Sequence, residues 1–310
     1  MQIIDNLDDL RFSVDTVVTI GTFDGVHVGH QKILKNIARI ADEHKLKSVV
    51  VTFWPHPRFV LKNHDTDLKL LSTFEEKTLL IEKLGIDYLV KIPFTKAFSE
   101  FSSDDFITQI IVDKINTKKL VIGHDHKFGK NREGGFDYLK QNANKYGFSV
   151  IEISREDIED VGVSSTKIRT ALSMGDIHTA NEFLGRKYSL SGFVKEGDRI
   201  GRSIGFPTAN LEVPEFYKLI PRDGAYAVSV EFQNQWYIGM LNIGVRPTVS
   251  GEERRIEVNI FDFNKQIYNE HLIIHFHQLL RNEEKFESID FLKKQLIKDK
   301  EQAIKVLKNE

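Results

Sequence analysis

Two histidines three residues apart, His27 and His30, stand at the end of a glycine-rich run, Gly21-Thr22-Phe23-Asp24-Gly25-Val26-His27-Val28-Gly29-His30. A β-branched run over 14–20 leads into it, and a helical pattern leaves it. Residues i and i+3 share one helix face. The first turn of a helix presents free N–H groups at the positive end of its dipole. Two imidazoles and a set of backbone donors therefore converge on one spot, which suits a phosphate chain. The chemistry such a spot supports is stabilisation of charge on an α-phosphate during nucleotidyl or phosphoryl transfer. Gly21, Phe23, Gly25 and Gly29 belong to the same grip. A surface turn that merely carried two histidines would need neither the strand nor the glycines.

A second cluster is Ser164-Ser165-Thr166-Lys167-Ile168-Arg169. N-capping explains one hydroxyl at a helix start. Three hydroxyls with adjacent cations fit a loop that clamps β- and γ-phosphates. Two further loops follow predicted strands. Thr52-Phe53-Trp54-Pro55-His56-Pro57 forms a stiff apolar wall, and Gly123-His124-Asp125-His126-Lys127-Phe128-Gly129 combines a polar centre with an aromatic. The two histidines beside Asp125 match no common zinc spacing.

In the second half, the segment from Gly197 to Asn210 carries Gly201, Arg202 and Gly205, whose neighbourhood lets backbone N–H groups approach phosphate oxygens. It lacks the Gly-Lys-Ser/Thr ending of a P-loop. Thr208 and Asn210 offer neutral oxygens of the kind Mg²⁺ accepts alongside phosphates and water. Glu257 falls inside a predicted strand, where it is either a solvated face residue or a general base. Strand alternation alone favours the first.

These residues are positioned by two different grammars. Residues 14–153 alternate strands (16–20, 48–53, 88–92, 119–122, 148–153) with helices, the first over 28–44. This alternation predicts a doubly wound parallel sheet with ligands outside its C-terminal strand edges. Ser72-Thr73-Phe74-Glu75 reads as a capping box, and Ser102-Ser103-Asp104-Asp105 as another helix start. Two short helices, 166–174 and 177–184, form a bridge. Beyond it come short strands, 189–194, 225–232, 236–243, 255–261 and 272–279, with a hairpin turn at Asn234-Gln235 and a closing helix over 288–307. They predict an antiparallel sheet or small barrel.

With 310 residues, 41% hydrophobic and 28% charged, the chain reads as a globular protein of about two domains. A net charge of −2 provides no broad basic field for nucleic acid or an anionic membrane. The absence of cysteine excludes disulfides, thiolate metal sites and cysteine nucleophiles, and suits a reducing cytoplasm. The first residues, Met1-Gln2-Ile3-Ile4-Asp5, do not read as a signal peptide. No apolar run approaches the ~18 residues of a membrane-spanning helix.

Taken in order, the motifs resemble the bacterial bifunctional riboflavin kinase/FMN adenylyltransferases, the prokaryotic-type FAD synthetases, over essentially the whole chain. The Gly21–His30 run looks like the family's first nucleotidyltransferase motif. Gly205-Phe206-Pro207-Thr208-Ala209-Asn210-Leu211 looks like its kinase signature, and Arg281-Asn282-Glu283-Glu284-Lys285-Phe286 is similar to a segment near the kinase C-terminus. The resemblance implies a Rossmann-like adenylyltransferase domain over 1–184 and a β-barrel riboflavin kinase domain over 185–310. It implies ATP as co-substrate, Mg²⁺, and riboflavin, FMN and FAD as substrates and products. His27 and His30 would stabilise the α-phosphate, with Ser164, Ser165, Thr166 and Arg169 on the leaving pyrophosphate. Phe53, Pro55, Asp125, Phe128 and Arg281 would lie at flavin. Glu257 would be the kinase base, with Thr208 and Asn210 at the metal. Thr22, His124, His126 and Asn259 depart from the family's usual residues. Two other readings remain at this point: a non-flavin nucleotidyltransferase of the same histidine motif with a regulatory barrel, and an RNA-binding protein.

Overall fold

The β-branched runs of the first half become the strands of a single parallel sheet. The computed structural model describes residues 1–61, 68–123, 127–130, 133–153, 162–197, 201, 204–248 and 251–308. The chain divides into two units, Met1–Ser165 and Thr166–Glu310.

In the first unit the strands are β1 (Gln2–Ile4), β2 (Thr16–Ile20), β3 (Lys47–Trp54), β4 (Tyr88–Pro93), β5 (Thr117–Gly123) and β6 (Ser149–Ile153). They lie in the order β1-β4-β3-β2-β5-β6. Alternate residues feed two cores. Val17, Val50 and Val121 pack with Ile33, Leu34 and Ile37 of helix α1 (Val28–His44) on one face. Val18, Val51 and Leu120 pack with Ile107, Ile111 and Leu139 on the other. Burial on both faces is why these strands read as continuous apolar runs. Ile107 and Ile111 come from a π-helix, Phe106–Val112. Leu139 comes from α3 (Phe136–Tyr146), and α2 (Phe74–Glu82) lies between β3 and β4 in sequence. From β2 the chain steps outward to β3 and β4, then returns to place β5 on β2's other side. The strand order reverses there, so the crevice above the C-terminal ends of β2 and β5 is the place for a ligand.

The second unit holds α4 (Ser165–Met174, whose first residue belongs to the preceding unit), α5 (Ile177–Leu184) and a closed barrel. The barrel strands are β7 (Tyr188–Lys195), β8 (Ala209–Glu212), β9 (Gly224–Phe232), β10 (Gln235–Thr248), β11 (Gly251–Ile260) and β12 (His271–Asn282). They close in the order β10-β11-β8-β7-β12-β9. Tyr226, Val228 and Val230 alternate with Ile256, Val258, Leu272, Ile274 and Phe276 in the buried interior. The last helix, α6 (Ile289–Lys308), covers the outside over β9 and β10, where Ala303 meets Ala227 and Met240.

Both predicted architectures are present, with four differences in detail. The edge strand β1 and the short strand β8 have too few residues for a periodic signal. The β9–β10 turn sits at Gln233-Asn234, not Asn234-Gln235, because those two residues carry the positive φ values of 49° and 61° that a tight hairpin requires. The capping box of α2 is shifted by one. Thr73 Oγ1 accepts from Glu76 N–H at 3.1 Å and Thr73 N–H donates to Glu76 Oε2 at 2.9 Å. Ser72 is occupied elsewhere: its hydroxyl accepts from Gly25 N–H at 3.1 Å. Among the described residues, no helix is long and apolar enough to cross a membrane.

Candidate active sites

At the end of β2, Gly21 N–H still donates to Val51 O at 3.0 Å, and the chain then turns sharply. Phe23, Gly25 and Val26 all take positive φ, at 47°, 78° and 39°. Gly25 meets this without penalty, whereas a β-branched Val26 there is strained. Fixed contacts hold the turn. The buried Asp24 carboxylate accepts from the N–H groups of Leu71 at 2.9 Å and Ser72 at 3.3 Å, and Ser165 Oγ donates to Asp24 O at 3.0 Å. Asp24 is thus a strut for the glycine-rich turn.

The turn delivers His27 to the N-cap of α1, where its Nδ1 accepts from His30 N–H at 3.4 Å. The imidazoles stack with centroids 3.6 Å apart and planes 19° apart. Phe23 meets His30 edge-on at 5.2 Å. His30 Nδ1 is buried and has no hydrogen-bond partner among the described residues. Burial, His27 and then Lys77 hold the His30 pKa well below the usual imidazole value. At neutral pH His30 is therefore a neutral N–H donor, suited to meeting charge that appears only as a reaction proceeds. Gly29 is buried in the first turn of α1.

Sequence reading missed Lys77. It is 4% exposed, yet lies at the floor of this site. Its ammonium donates to Thr22 O and Thr52 Oγ1, both at 3.2 Å. Trp54 and Phe74 lie below it at 5.5 and 5.3 Å. Burial lowers its pKa to about 8 against the opposing pull of Asp24. The available signal was a lysine on the inward stripe of α2, three residues from Phe74 and four from the buried Ile81.

The half-buried Phe53 belongs to an aromatic group with Phe94, Phe98 and Phe106, at 5.7, 6.0 and 6.3 Å. Phe128 is buried in the core behind them, 5.8 Å from Phe106, and backs this wall. Pro55 is exposed at the end of β3. Asp125, with His124 and His126, lies outside the described residues, as does Arg202 of the second site. Ser164 is half-buried just before α4, and Thr166 (exposed) and Arg169 (half-buried) fall in its first turns.

The second site lies on the outer surface of the barrel, in a cavity of about 230 Å³. Thr208, Asn242, Glu257, Asn259, Arg281 and Glu283 are among its lining residues. Strand register brings them together. Glu257 pairs with Asn242 on one side and Asn210 on the other. Asn259 is pinned by donating its Nδ2–H to Pro207 O at 2.6 Å. Gly201 and Gly205 begin and follow the turn before Thr208, and Phe206 N–H donates to Gly201 O at 2.8 Å. A Cβ on Gly201 would lie 2.2 Å from Phe206 O, so only glycine permits this loop. Arg281 is committed to the buried Asp299 of α6, with Nε and Nη2 each 3.0 Å from Oδ2, and it lies over Phe286 at 5.3 Å. Glu283, also missed in sequence, lines the cavity, and desolvation raises its carboxyl pKa despite a hydrogen bond from Asn242. Thr208 lines this cavity and Asn210 pairs in register with Glu257; both carry neutral oxygens of the kind that suits a divalent ion arriving with phosphates and water.

The chain matches the FAD synthetase family model over residues 10–167 and the riboflavin kinase model over 184–307. It is 39% identical over 298 residues to the bifunctional riboflavin kinase/FMN adenylyltransferase of Bacillus subtilis, covering 95% of this chain and 93% of that protein. It is 37% identical over 304 residues to the protein of the same name from Buchnera aphidicola, covering 96% of each. A solved structure described as a macrolide-efflux protein from Streptococcus pneumoniae superposes with a TM-score of 0.90 at 34% identity, covering 98% of this chain and 99% of that one. With a family model on each side of the bridge and named relatives matched almost end to end, the chain belongs to the bifunctional riboflavin kinase/FMN adenylyltransferase family.

Proposed function

We propose that the stacked His27/His30 pair at the switch point of the parallel sheet is the adenylyl-transfer site, and that the Glu257 cavity on the barrel is the kinase site. The protein converts riboflavin to FMN and FMN to FAD, using ATP in both steps. The observation that carries the site assignment is a stacked imidazole pair on a helix N-terminus, with His30 held neutral, at the strand ends where a parallel sheet receives ligands.

In adenylyl transfer, a phosphate oxygen of FMN attacks the α-phosphorus of ATP. The new P–O bond forms as the bond to the α–β bridging oxygen breaks, and the electron pair leaves with pyrophosphate. His27 and His30 donate to the α-phosphate as charge builds, with Gly21, Phe23, Gly25 and Gly29 shaping the grip. Ser164, Ser165, Thr166 and Arg169 hold the pyrophosphate. Phe53 and Pro55 border the flavin with Phe128 backing them, and Asp125 helps to place it. In the kinase, the ribityl 5′-hydroxyl oxygen attacks the γ-phosphorus, its proton passes to Glu257, and the bond to ADP breaks. Gly201, Arg202 and Gly205 approach the ATP phosphates, and Arg281 edges the flavin side of the cavity. Thr208 and Asn210 would hold Mg²⁺, which neutralises phosphate charge when bound. We assign the adenylyltransferase to residues 1–184 and the kinase to 185–310, acting in the cytoplasm.

A non-flavin nucleotidyltransferase or an RNA-binding protein leaves the riboflavin kinase match over 184–307 without an account. The direct experiment is incubation with riboflavin, ATP and Mg²⁺ followed by chromatography of the flavins. FMN should appear first and FAD after it; a reaction that yields neither overturns the assignment.

A further inference from the structure

A buried lysine whose hydrogen bonds run to neutral oxygens is unusual, because burial disfavours the ammonium and such partners do not offset its charge. Lys77 is such a residue. Both of its hydrogen bonds run to neutral oxygens, Thr22 O and Thr52 Oγ1. Its helix is fixed by a complete capping box at Thr73 and Glu76, so the side chain has a defined origin. Thr22 and Thr52 lie at the C-terminal ends of neighbouring parallel strands, and Thr22 belongs to the turn that delivers His27 and His30. Lys77 is also close enough to His30 to disfavour its protonation.

Simple core packing does not account for this. Ile81, one turn on, is fully buried and apolar, and a leucine or methionine at 77 would pack under Trp54 and Phe74 without a desolvation cost. A hydrogen-bond clamp on the Thr22 carbonyl needs a donor but no charge. A fixed positive charge has two uses here: it opposes the charge of the buried Asp24 carboxylate, which is itself bonded to the N–H groups of Leu71 and Ser72, and it awaits an anion at the site, where the assigned reaction concentrates negative charge on one phosphate.

We propose that Lys77 is a positioning residue for adenylyl transfer: its ammonium clamps the Thr22 carbonyl and sets a fixed positive charge behind His30, so that charge gathering on the α-phosphate meets imidazole donors backed by a cation. This rests on the assignment of His27 and His30 to that step. Lys77 touches neither substrate; it acts through the turn and through His30. Burial, His27 and then the same ammonium keep the His30 imidazole neutral, which preserves it as a donor whose interaction strengthens in the transition state.

The test uses the full chain with Lys77→Met and Lys77→Gln, the second keeping a donor without charge. Both should lower kcat for FMN adenylylation by about tenfold to a hundredfold while KM for ATP and FMN stays within about threefold, the pattern of an interaction made in the transition state. Riboflavin phosphorylation should be unchanged in both. Wild-type kcat should fall as pH rises through about 8, where the ammonium titrates, and this limb should vanish in Lys77→Gln. The charged or titratable groups around the ammonium are Asp24 of the turn, His27 and His30 of α1, and Lys91 of β4 beyond Phe74. Wild-type kcat in Lys77→Gln would reduce Lys77 to a neutral clamp and overturn the proposal. So would losses confined to KM, or loss of the folded melting transition in both variants. If wild-type protein forms no FAD from FMN, the site assignment itself fails; if wild type forms FAD and the variants match it, only the role of Lys77 fails.

Discussion

His27 and His30 hold one another through two different contacts. His27 spends its Nδ1 on the backbone of His30, which fixes its ring, and His30 is fixed by stacking on it. Phe23 adds an edge-on contact to the His30 ring. Replacing both with alanine should abolish FAD formation from FMN and leave riboflavin phosphorylation near wild type, measured by chromatography of the two products. Glu257→Gln should do the converse, reducing FMN formation by about 10²–10⁴-fold, the usual loss for a general base. The histidine pair was legible in the sequence because spacing, glycines and a preceding strand coincide within twelve residues. Glu257 was not legible from alternation, which only says that it leaves the barrel interior. Its neighbours Asn242 and Asn210 arrive by register from two other strands, information that no local window contains. Thr22, a departure from the usual residue of the motif, contributes through its carbonyl to Lys77, a bond indifferent to side-chain identity.

Helices set the walls of both sites, and their end chemistry decides where. Ser72 and Thr73 are adjacent hydroxyls competing for one N-cap. Sequence alone cannot choose between them, and the choice is made by Gly25 and Asp24, which engage Ser72 and so leave Thr73 to cap α2. In the helix so capped, Lys77 and Ile81 are the buried residues. In the second unit, α6 is anchored by the Arg281–Asp299 pair, supported by Gln295 Nε2–H to Asp299 Oδ1 at 2.8 Å. Asp299 is 2% exposed, so Asp299→Ala strands a mostly buried guanidinium. Breaking such a pair costs about 3–5 kcal/mol. The variant should show a lowered melting temperature and a larger loss of riboflavin phosphorylation than of FMN adenylylation; equal losses would place α6 outside the kinase wall. The helix itself was readable from its apolar positions, whereas its anchor joins residues eighteen apart in sequence through tertiary folding.

At the scale of the molecule, the chain forms two units with separate cores, and the two family models divide at the bridge between them in sequence. The bonds around His27 and His30 run within the first unit, and the strand pairs around Glu257 within the second. Mixing the His27→Ala/His30→Ala variant with the Glu257→Gln variant should therefore yield FAD from riboflavin, ATP and Mg²⁺, although neither variant does so alone. A mixture that stops at FMN would mean that FMN made by one chain does not reach the other. The fold class of each half was readable from period and order. Six of the site residues named from sequence, Thr208, Asn210, Glu257, His27, His30 and Ser165, fall where strand order or a direct bond gives them a shared setting.

Along β11, Ile256, Val258 and Ile260 fill the barrel, while Arg255, Glu257 and Asn259 line the cavity outside it. Foldability and selectivity are thus written on alternate letters of one strand. A lineage can rewrite the outward letters to accept a different alcohol or nucleotide without touching the inward ones, so the barrel is a platform whose substrate can drift while its architecture stays under separate selection.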